Sequence, residues 1–325
     1  MEYDDRVYGK IQIGEPVILD LISCKTIQRL KGIDQAGYFT PFYPGTEQNR
    51  FDHSVGVYLL LRGFGALLEE QVAGLIHDAS HSAFSHCVDY ILAAGTQAEQ
   101  SHQDDIFDAF IRKSEIPAIL KKHKIDTDFI LNESNFPLKE NDLPDLCADR
   151  IDYTLRTGIV YGRIASANYF LEDLSVMKKK WVFKSVEGAR DFAKLFFHLN
   201  SKYFSGLTSA VMFRAVGDYI GYALKKGYID ESDLYATDAE VLEKAAAAHA
   251  KDEELQRLFA RMNNKVRYEN NPNNYDAEVV CKSRAVDPLF LSHGKLERLS
   301  QADSAWKKVL SAESKPKTYH IKFDN

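Results

Sequence analysis

A dense set of titratable residues lies between Val72 and His86, where the sequence reads VAGLIHDASHSAFSH. Three histidines and an aspartate follow directly after an apolar run. On a helix, His77 and His81 would share one face, because they are four residues apart. Imidazole nitrogen together with carboxylate oxygen suits a divalent first-row metal such as Fe, Mn or Zn. The segment therefore predicts a metal site, a phosphate-handling site or a hydrogen-bonded polar patch.

A metal bound by His77 and Asp78 needs further ligands, and two other segments offer them. His53 lies in NRFDHS, while DLCADRIDY contains the three candidate aspartates Asp145, Asp149 and Asp152. The chemistry of the side chains does not distinguish among these three aspartates. Five of the ten histidines fall within about a sixth of the chain around these segments. The order histidine, histidine–aspartate, aspartate therefore favours a metal site over scattered surface histidines.

The composition of the 325 residues is that of a globular protein, with 45% hydrophobic and 27% charged residues. The net charge of −6 does not indicate a nucleic-acid footprint or an anionic membrane partner. The N-terminus lacks the pattern of a signal peptide, and the apolar runs are far shorter than the roughly 20 residues that span a bilayer. The four cysteines form no CxxC pair, which argues against a disulfide framework or a thiolate zinc site. We expect a cytoplasmic protein without a membrane partner.

Helical periodicity dominates the chain and predicts a mainly α fold. The predicted helical stretches are 17–33, 54–111 with breaks, 144–161 and 186–262. Short strands are expected over 7–13, 279–291 and 318–323, with a short helix over 304–311. The Asn- and Pro-rich stretch 266–278 marks a boundary. We predict a body over 1–265, with the metal-site core at 49–162, and a small α/β extension over 266–325.

Five phrases in order resemble the HD-domain metal-dependent phosphohydrolases, in particular the branch that contains the deoxynucleoside triphosphate triphosphohydrolases. They are RVYGKIQI, IQRLKGIDQAG, YPGTEQNRFDHSVGV, VAGLIHDASHSAFSH and ADRIDY. The resemblance covers residues 6–162 well and continues more weakly to 262. It implies an HD-domain helical bundle and a homo-oligomer, a dimer or higher. It also implies hydrolysis of a nucleotide with one divalent ion (Fe, Mn, Zn or Ni) per chain, and with Mg²⁺ accompanying the substrate.

The same resemblance assigns roles to individual residues. The implied metal ligands are His53, His77, Asp78 and Asp149, where Asp149 is chosen because it begins the DRIDY phrase. The implied catalytic residues are His81 and His86 near the phosphates, and His102 with Asp89 as its carboxylate partner. The implied substrate-binding residues are Arg50 and Arg150 for phosphate, and Gln35 and Tyr153 for the sugar. The alternative for these four is that the arginines form ordinary salt bridges and the other two side chains simply pack.

The chain departs from the triphosphohydrolase branch at two places. Thr157 stands where that branch has an acidic residue, and KYFSGLTSAVMFRAVGDYIG lacks the tyrosine expected in the sugar and base pocket. Phosphoryl chemistry is therefore a firmer prediction than deoxynucleotide specificity. A phosphodiesterase or nuclease acting on oligonucleotides is the rival enzyme. A nucleotide sensor with little turnover is the rival from another class, although the complete ligand set argues against it.

Two basic stretches have a separate interpretation. MKKKWVFK (177–184) and the tail over 306–317 combine lysines with aromatic residues. Such stretches are either solvated turns or patches that stack single-stranded nucleic acid. We favour the first interpretation, so nucleic acid is not an expected partner.

Overall fold

Helices dominate the computed structural model, which describes residues 1–91, 102–313 and 315–324. The helices are α1 (Pro16–Ser23), α2 (Lys25–Arg29), α3 (Arg50–Gly63), α4 (Leu68–Ile76), α5 (His102–Lys113), α6 (Ile116–Lys122), α7 (Thr127–Leu131), α8 (Ala148–Val160), α9 (Asn168–Asp173), α10 (Val186–Leu199), α11 (Leu207–Lys225), α12 (Asp238–Ala246), α13 (Glu253–Met262), α14 (Leu299–Ala302) and α15 (Ser304–Glu313). Single 3₁₀ turns include Ser85–Tyr90, and a π-helical turn over Asn200–Phe204 joins α10 to α11. The predicted mainly α class is confirmed. Part of the predicted helical stretch 54–111 lies outside the described residues.

Nine strands form three small sheets within the described residues. They are β1 (Glu2–Asp5), β2 (Gly9–Gln12), β3 (Leu174–Met177), β4 (Lys180–Phe183), β5 (Tyr268–Asn270), β6 (Ala277–Cys281), β7 (Leu289–Ser292), β8 (Lys295–Arg298) and β9 (Lys317–Phe323). Strands β1 and β2 form a hairpin, and the other sheets have the orders β3-β4-β7-β8 and β5-β9-β6. All neighbours are antiparallel except β4 and β7, which are parallel. The predicted division at residue 265 stays a prediction.

The sheet content is larger than the predicted short N-terminal strands and small tail. The stretch 177–184 is a hairpin, because Lys178 and Lys179 both adopt left-handed backbone angles (φ 51° and 59°) between β3 and β4. Trp181 and Phe183 of β4 are buried in the apolar core, and Trp306 of the tail is buried as well. Aromatic rings in a core cannot stack on bases, which removes the single-strand patch as an interpretation.

Helix α3 occupies the centre of the fold and carries Arg50 and His53 in its first turns. Its N-cap is Asn49, whose side-chain oxygen accepts the backbone N–H of Asp52 at 2.8 Å. Apolar residues cover nearly every side of α3, and they contribute to two separate cores, one shared with α1 and α4 and the other with α8 and α10. A helix buried in this way cannot shift without disrupting both cores. Its functional side chains are therefore held rigidly.

The histidine–aspartate segment is a turn rather than a helix. Helix α4 ends at Ile76, so His77 is its C-cap residue, and the expectation that His77 and His81 share a helical face is wrong. Phe84 and Ser85 adopt left-handed angles (φ 60° and 46°), which are unfavourable for residues with a Cβ. Asp238 at the start of α12 stabilises this turn, because its carboxylate accepts the N–H of Phe84 at 2.7 Å. The irregular backbone brings both histidines to the same carboxylate without helical spacing.

None of the described helices combines the length and the apolar character that a membrane crossing requires.

Candidate metal centre

Three of the predicted ligands converge from three different elements. Side-chain ligand atoms of His53 in α3, His77 at the end of α4 and Asp149 in α8 all lie within 4.8 Å of one another. Oδ1 of Asp149 is 2.8 Å from Nε2 of His53 and 3.5 Å from Nε2 of His77. Nε2 of His77 is buried and makes no hydrogen bond to any described residue. A buried imidazole nitrogen without a partner fits a metal ligand, because a buried polar atom otherwise pairs with a hydrogen-bonding group.

Asp78 joins this cluster and is itself held by Arg50. Its Oδ1 is 3.4 Å from Nε2 of His77 and 3.4 Å from Nε2 of His81, and its Oδ2 is 3.8 Å from Nε2 of His53. Nη1 of Arg50 donates to Oδ2 of Asp78 at 2.7 Å, and Nε of Arg50 donates to Ser85 at 2.7 Å. The set of two imidazoles and two carboxylates has the donors that suit a divalent first-row metal.

The structure places the three aspartates of DLCADRIDY in different surroundings. Asp149 lies in the first turn of α8 and contacts both imidazoles. Asp152 lies on the far side of His53 and accepts a hydrogen bond from Nδ1 of that ring at 3.0 Å. Asp145 pairs instead with Lys180 and Arg298. Among the three, the geometry favours Asp149 as the ligand.

A buried ion network stands behind His53. It consists of Asp5, Asp152 and Arg156, in which the guanidinium of Arg156 donates to both carboxylates at 2.9 to 3.3 Å. Tyr8 also donates to Asp152, at 3.2 Å. Since Asp5 and Tyr8 come from the N-terminal hairpin, that hairpin orients the ring of His53 through Asp152. A carboxylate behind a ligating histidine fixes its tautomer and raises its basicity.

The protonation of the cluster follows from burial opposed by neighbouring charges. Burial favours a neutral His53, but the carboxylates of Asp149 and Asp152 outweigh it and raise the pKa of His53 to about 10. Burial would raise the pKa of Asp78, yet Arg50 and His77 hold that pKa well below its ordinary value. Both aspartates opposite the imidazoles are ionised at neutral pH, as cation binding requires.

The cluster opens into a cavity of about 630 Å³. Nine of the twelve predicted site residues line it: Gln35, Arg50, His77, Asp78, His81, His86, Asp149, Arg150 and Tyr153. Besides His77, three of them have a buried polar atom that makes no hydrogen bond to a described residue: Oε1 of Gln35, Nη2 of Arg50 and Nε of Arg150. Several unpaired donors and acceptors at one cavity favour a polar ligand there.

The remaining catalytic candidates form a pair that differs from the expected one. Asp89 accepts a hydrogen bond from the ring Nδ1 of His86 at 3.2 Å, and from His102 it accepts the backbone N–H, also at 3.2 Å. The ring of His102 lies instead near Tyr235, with 3.4 Å between Nε2 and the hydroxyl, and it does not line the cavity. The histidine–carboxylate pair at the cavity is therefore His86 with Asp89. The catalytic role of His102 stays a prediction.

The HD-domain family model matches residues 50–157, the segment that carries every proposed ligand. The metal-dependent phosphohydrolase cns2 of Cordyceps militaris is 32% identical over 73% of this chain and 70% of its own length. The chain belongs to the HD-domain metal-dependent phosphohydrolases. This membership places it among the hydrolases.

Other similar proteins differ in how much of the chain they share. The uncharacterized protein YdhJ of Bacillus subtilis is 37% identical over 90% of this chain and 89% of its own length. The deoxynucleoside triphosphate triphosphohydrolase SAMHD1 of mouse is 30% identical, but over only 37% of this chain and 21% of its own length. A crystal structure of a hypothetical protein from Aquifex aeolicus matches the whole chain and 96% of its own, with a TM-score of 0.73 and 20% identity. That last likeness shows the fold alone.

The cavity of this HD-domain protein also includes residues that the sequence analysis missed. Lys282 and Arg284, from the segment after β6, line the same cavity as Arg50. Gln48 lines it too and accepts a hydrogen bond from Thr157 at 3.3 Å. Nothing near Lys282 and Arg284 in the sequence distinguishes them from other surface cations. Gln48 lies in the phrase YPGTEQNRFDHSVGV, next to the N-cap residue Asn49, and this position could have indicated that its side chain lies near the cavity.

Proposed function

We propose that this HD-domain protein hydrolyses a phosphoester or phosphoanhydride bond of a nucleotide, most readily a nucleoside triphosphate. The convergence of His53, His77 and Asp149 at the wall of a 630 Å³ cavity carries the proposal. His53, His77, Asp78 and Asp149 would hold one divalent ion. When bound, such an ion neutralises phosphate charge and lowers the pKa of a coordinated water, which supplies the nucleophile.

Arg50 serves as the phosphate clamp in this proposal. Ser85 and Asp78 fix its Nε and Nη1, while Nη2 is buried without a hydrogen bond to a described residue and can donate to a ligand in the cavity that Arg50 lines. A guanidinium fixed at two of its nitrogens loses little freedom when it binds a phosphoryl oxygen. Arg50 therefore stabilises negative charge in the ground state and in the transition state alike.

His86 is the proposed proton donor to the leaving oxygen, with Asp89 as its partner. Burial lowers the pKa of His86, while the carboxylate of Asp89 opposes that effect. The negative charge of a bound phosphate would act in the same direction as Asp89, raising the pKa of His86 and favouring its protonated form. His81, whose pKa burial and Arg50 lower well below its ordinary value, instead donates a hydrogen bond as a neutral ring. His102 is the alternative donor.

The triphosphate preference is supported by the SAMHD1 relatives, which carry that activity in their name. Thr157, in place of the acidic residue of that branch, binds Gln48 and lines the cavity. A hydroxyl here removes one charged contact to the sugar, so we expect a relaxed preference between ribose and deoxyribose. The homo-oligomer expected from the family resemblance stays a prediction, and light scattering coupled to gel filtration measures it.

The experiment combines metal content with a substrate panel. The purified protein is incubated with nucleoside mono-, di- and triphosphates and with short oligonucleotides, each with Mn²⁺, Fe²⁺, Zn²⁺, Ni²⁺ or Mg²⁺. We expect close to one tightly bound ion per chain and hydrolysis of nucleotides. Release of tripolyphosphate in one step identifies attack at the innermost phosphorus, whereas release of orthophosphate places the attack at the terminal one.

His77→Ala and His123→Ala form a matched pair for this experiment. His123 also contacts a carboxylate, that of Asp20 at 2.6 Å, but it lies outside the cluster. We expect His77→Ala to lose the ion and the activity while His123→Ala keeps both. A His77→Ala protein that retains its ion and its rate would exclude the proposed centre, and cleavage of oligonucleotides alone would replace the nucleotide by a nucleic-acid substrate.

A further inference from the structure

A segment after β6 adds two cations to the cavity. Lys282 and Arg284 both line it, although they come from the region of the chain after residue 265. Arg284 is partly buried, so its guanidinium is screened less by solvent than that of an exposed arginine. The proposed mechanism of hydrolysis assigns no role to either residue.

Asn200 fixes the backbone of this segment. It is fully buried; its Nδ2 donates to the hydroxyl of Ser283 at 3.0 Å, and its Oδ1 accepts the N–H of Arg284 at 3.1 Å. Ser283 in turn donates to Glu313 of α15 at 3.1 Å. Because both polar atoms of this buried amide form hydrogen bonds to the same short segment, the amide holds that segment in a single position.

The turn that carries Asn200 is unusual in itself. Residues Asn200–Phe204 form a π-helical turn, and Phe204 at its end lines the cavity. Such turns are rare and occur frequently at functional sites. Here the turn connects one wall of the cavity to the segment that bears Arg284.

Arg284 shares the lining of the cavity with His86 and Tyr153. Burial lowers the pKa of His86 and the charge of Arg284 lowers it further, whereas burial raises the pKa of Tyr153 and the charge of Arg284 opposes that rise. Arg50, the proposed phosphate clamp, belongs to the same lining. A second guanidinium there can contact a part of the substrate beyond the phosphoryl group that Arg50 holds.

We propose that Arg284 binds a second phosphoryl group of the substrate, and that Asn200 is its positioning residue. This inference rests on the proposed function and restricts it to substrates with at least two linked phosphoryl groups. Arg50 then contacts the phosphoryl group next to the ion, and Arg284 contacts the next one along the chain of phosphates. Guanidinium groups bind phosphate oxygens through paired, charge-assisted hydrogen bonds.

Binding of inorganic phosphate and of tripolyphosphate to the metal-loaded protein tests the proposal by calorimetry. Arg284→Gln should weaken tripolyphosphate binding by about 10-fold or more, the effect of a lost hydrogen bond between charged groups. Its affinity for inorganic phosphate should change little, because a single phosphate is met by Arg50. Arg284→Lys should recover part of the loss, and Arg267→Gln, which removes an exposed cation of the same region, should match the wild type.

Asn200→Ala should reproduce the loss of tripolyphosphate affinity with an unchanged metal content. If Asn200→Ala does not fold, Ser283→Ala takes its place as the test. This variant keeps the amide of Asn200 and should show the same loss in milder form. With a triphosphate substrate, Arg284→Gln should raise KM. An Arg284→Gln protein with wild-type affinity for tripolyphosphate would overturn the inference while the hydrolase activity of the wild type stands. A wild type that binds neither probe and hydrolyses no nucleotide would overturn the proposed function itself.

Discussion

Replacement of Asp152 by Asn separates the residue that orients a ligand from the ligand itself. The Asp152 side chain is fully buried, and its two oxygens accept hydrogen bonds from His53, Tyr8 and Arg156. Asn has nearly the same volume, so no cavity forms. It has only one oxygen, however, and no charge. At the Oδ1 position that oxygen still accepts from Nδ1 of His53 and Nε of Arg156, and Nη2 of Arg156 then faces the amide nitrogen; at the Oδ2 position it accepts from Nη2 of Arg156, and Nδ1 of His53 loses its acceptor.

The magnitude follows from which donor is lost. In either position the negative charge behind His53 is lost, which lowers the basicity of its ring; if the amide oxygen takes the Oδ2 position, Nδ1 of His53 also faces an N–H group and the ring rotates or changes tautomer. Loss of the partner behind a ligating histidine typically lowers metal affinity or activity by about 10- to 100-fold. The free energy of unfolding should also fall by about 3 kcal/mol, because a buried ion pair loses one of its charges. Asp5 keeps the second contact with Arg156, which limits the loss.

The assay is a chelator competition that measures metal affinity, read together with kcat and thermal unfolding. Asp145→Asn is the matched control, because Asp145 belongs to the same phrase and also forms ion pairs, with Lys180 and Arg298. We expect metal affinity to be abolished in Asp149→Asn, reduced in Asp152→Asn and unchanged in Asp145→Asn. Thermal unfolding distinguishes a loss of affinity from a loss of folded protein.

Two results would refute this reasoning. Equal metal affinity in Asp152→Asn and the wild type would show that the ion network does not orient His53. Loss of the ion in Asp152→Asn together with retention in Asp149→Asn would exchange the roles of the two aspartates.

Three further predictions concern the proton donor, a close packing contact and a buried carboxylate. His86→Ala should lower kcat by about 10²-fold, the usual loss for general acid catalysis, and this loss should exceed that of His102→Ala. Steady-state kinetics measure both variants, and a larger loss of kcat in His102→Ala would make His102 the proton donor instead. Gly56→Ala should lower the melting temperature, because its Cβ would clash with the guanidinium of Arg156 in the buried ion network. Gly63→Ala is the control, since a Cβ there meets open space, and equal melting temperatures for the two variants would contradict this prediction. Burial and a neighbouring carboxylate raise the pKa of Asp238 from an ordinary 3.8 to about 7, so folding takes up a proton between these values and stability falls as pH rises through them. Asp238→Asn should flatten that slope in unfolding experiments at pH 5 and pH 8, and an unchanged slope would assign it to other groups.

The central part of the fold was predictable because its signals are local. The phrase NRFDHS combines an N-cap with the first turn of a helix, and the apolar pattern that follows indicates the buried helix α3. The family phrases then predict His53, His77, Asp78 and Asp149 as metal ligands, and these four side chains lie together in the structure. Spacing by itself was a poor guide even here, since His77 and His81 lie on a turn. Left-handed angles at Phe84 and Ser85 leave no signature when the residues are not glycine.

The sheets were harder to predict because they depend on distant pairings. Strand β4 is short and directly follows the lysines of its turn, so its sequence resembles a solvated turn. Its second sheet neighbour is β7, which pairs with it in parallel and follows more than a hundred residues later. A strand whose partner is that remote has no local sign of its second neighbour.

The two ends of the described chain explain which residues escaped prediction. The N-terminal hairpin reaches His53 through Tyr8 and Asp152, so the phrase RVYGKIQI belongs to the proposed site even though it contains no predicted ligand. The region after β6 reaches the cavity through Asn200 and Arg284, with no phrase of its own. Orientation of a ligand needs fixed partners, which a motif can preserve, whereas a charge that faces a substrate can be supplied by any segment that reaches the cavity. We therefore expect substrate preference in this protein to depend on Arg284 more than on the residues that hold the metal.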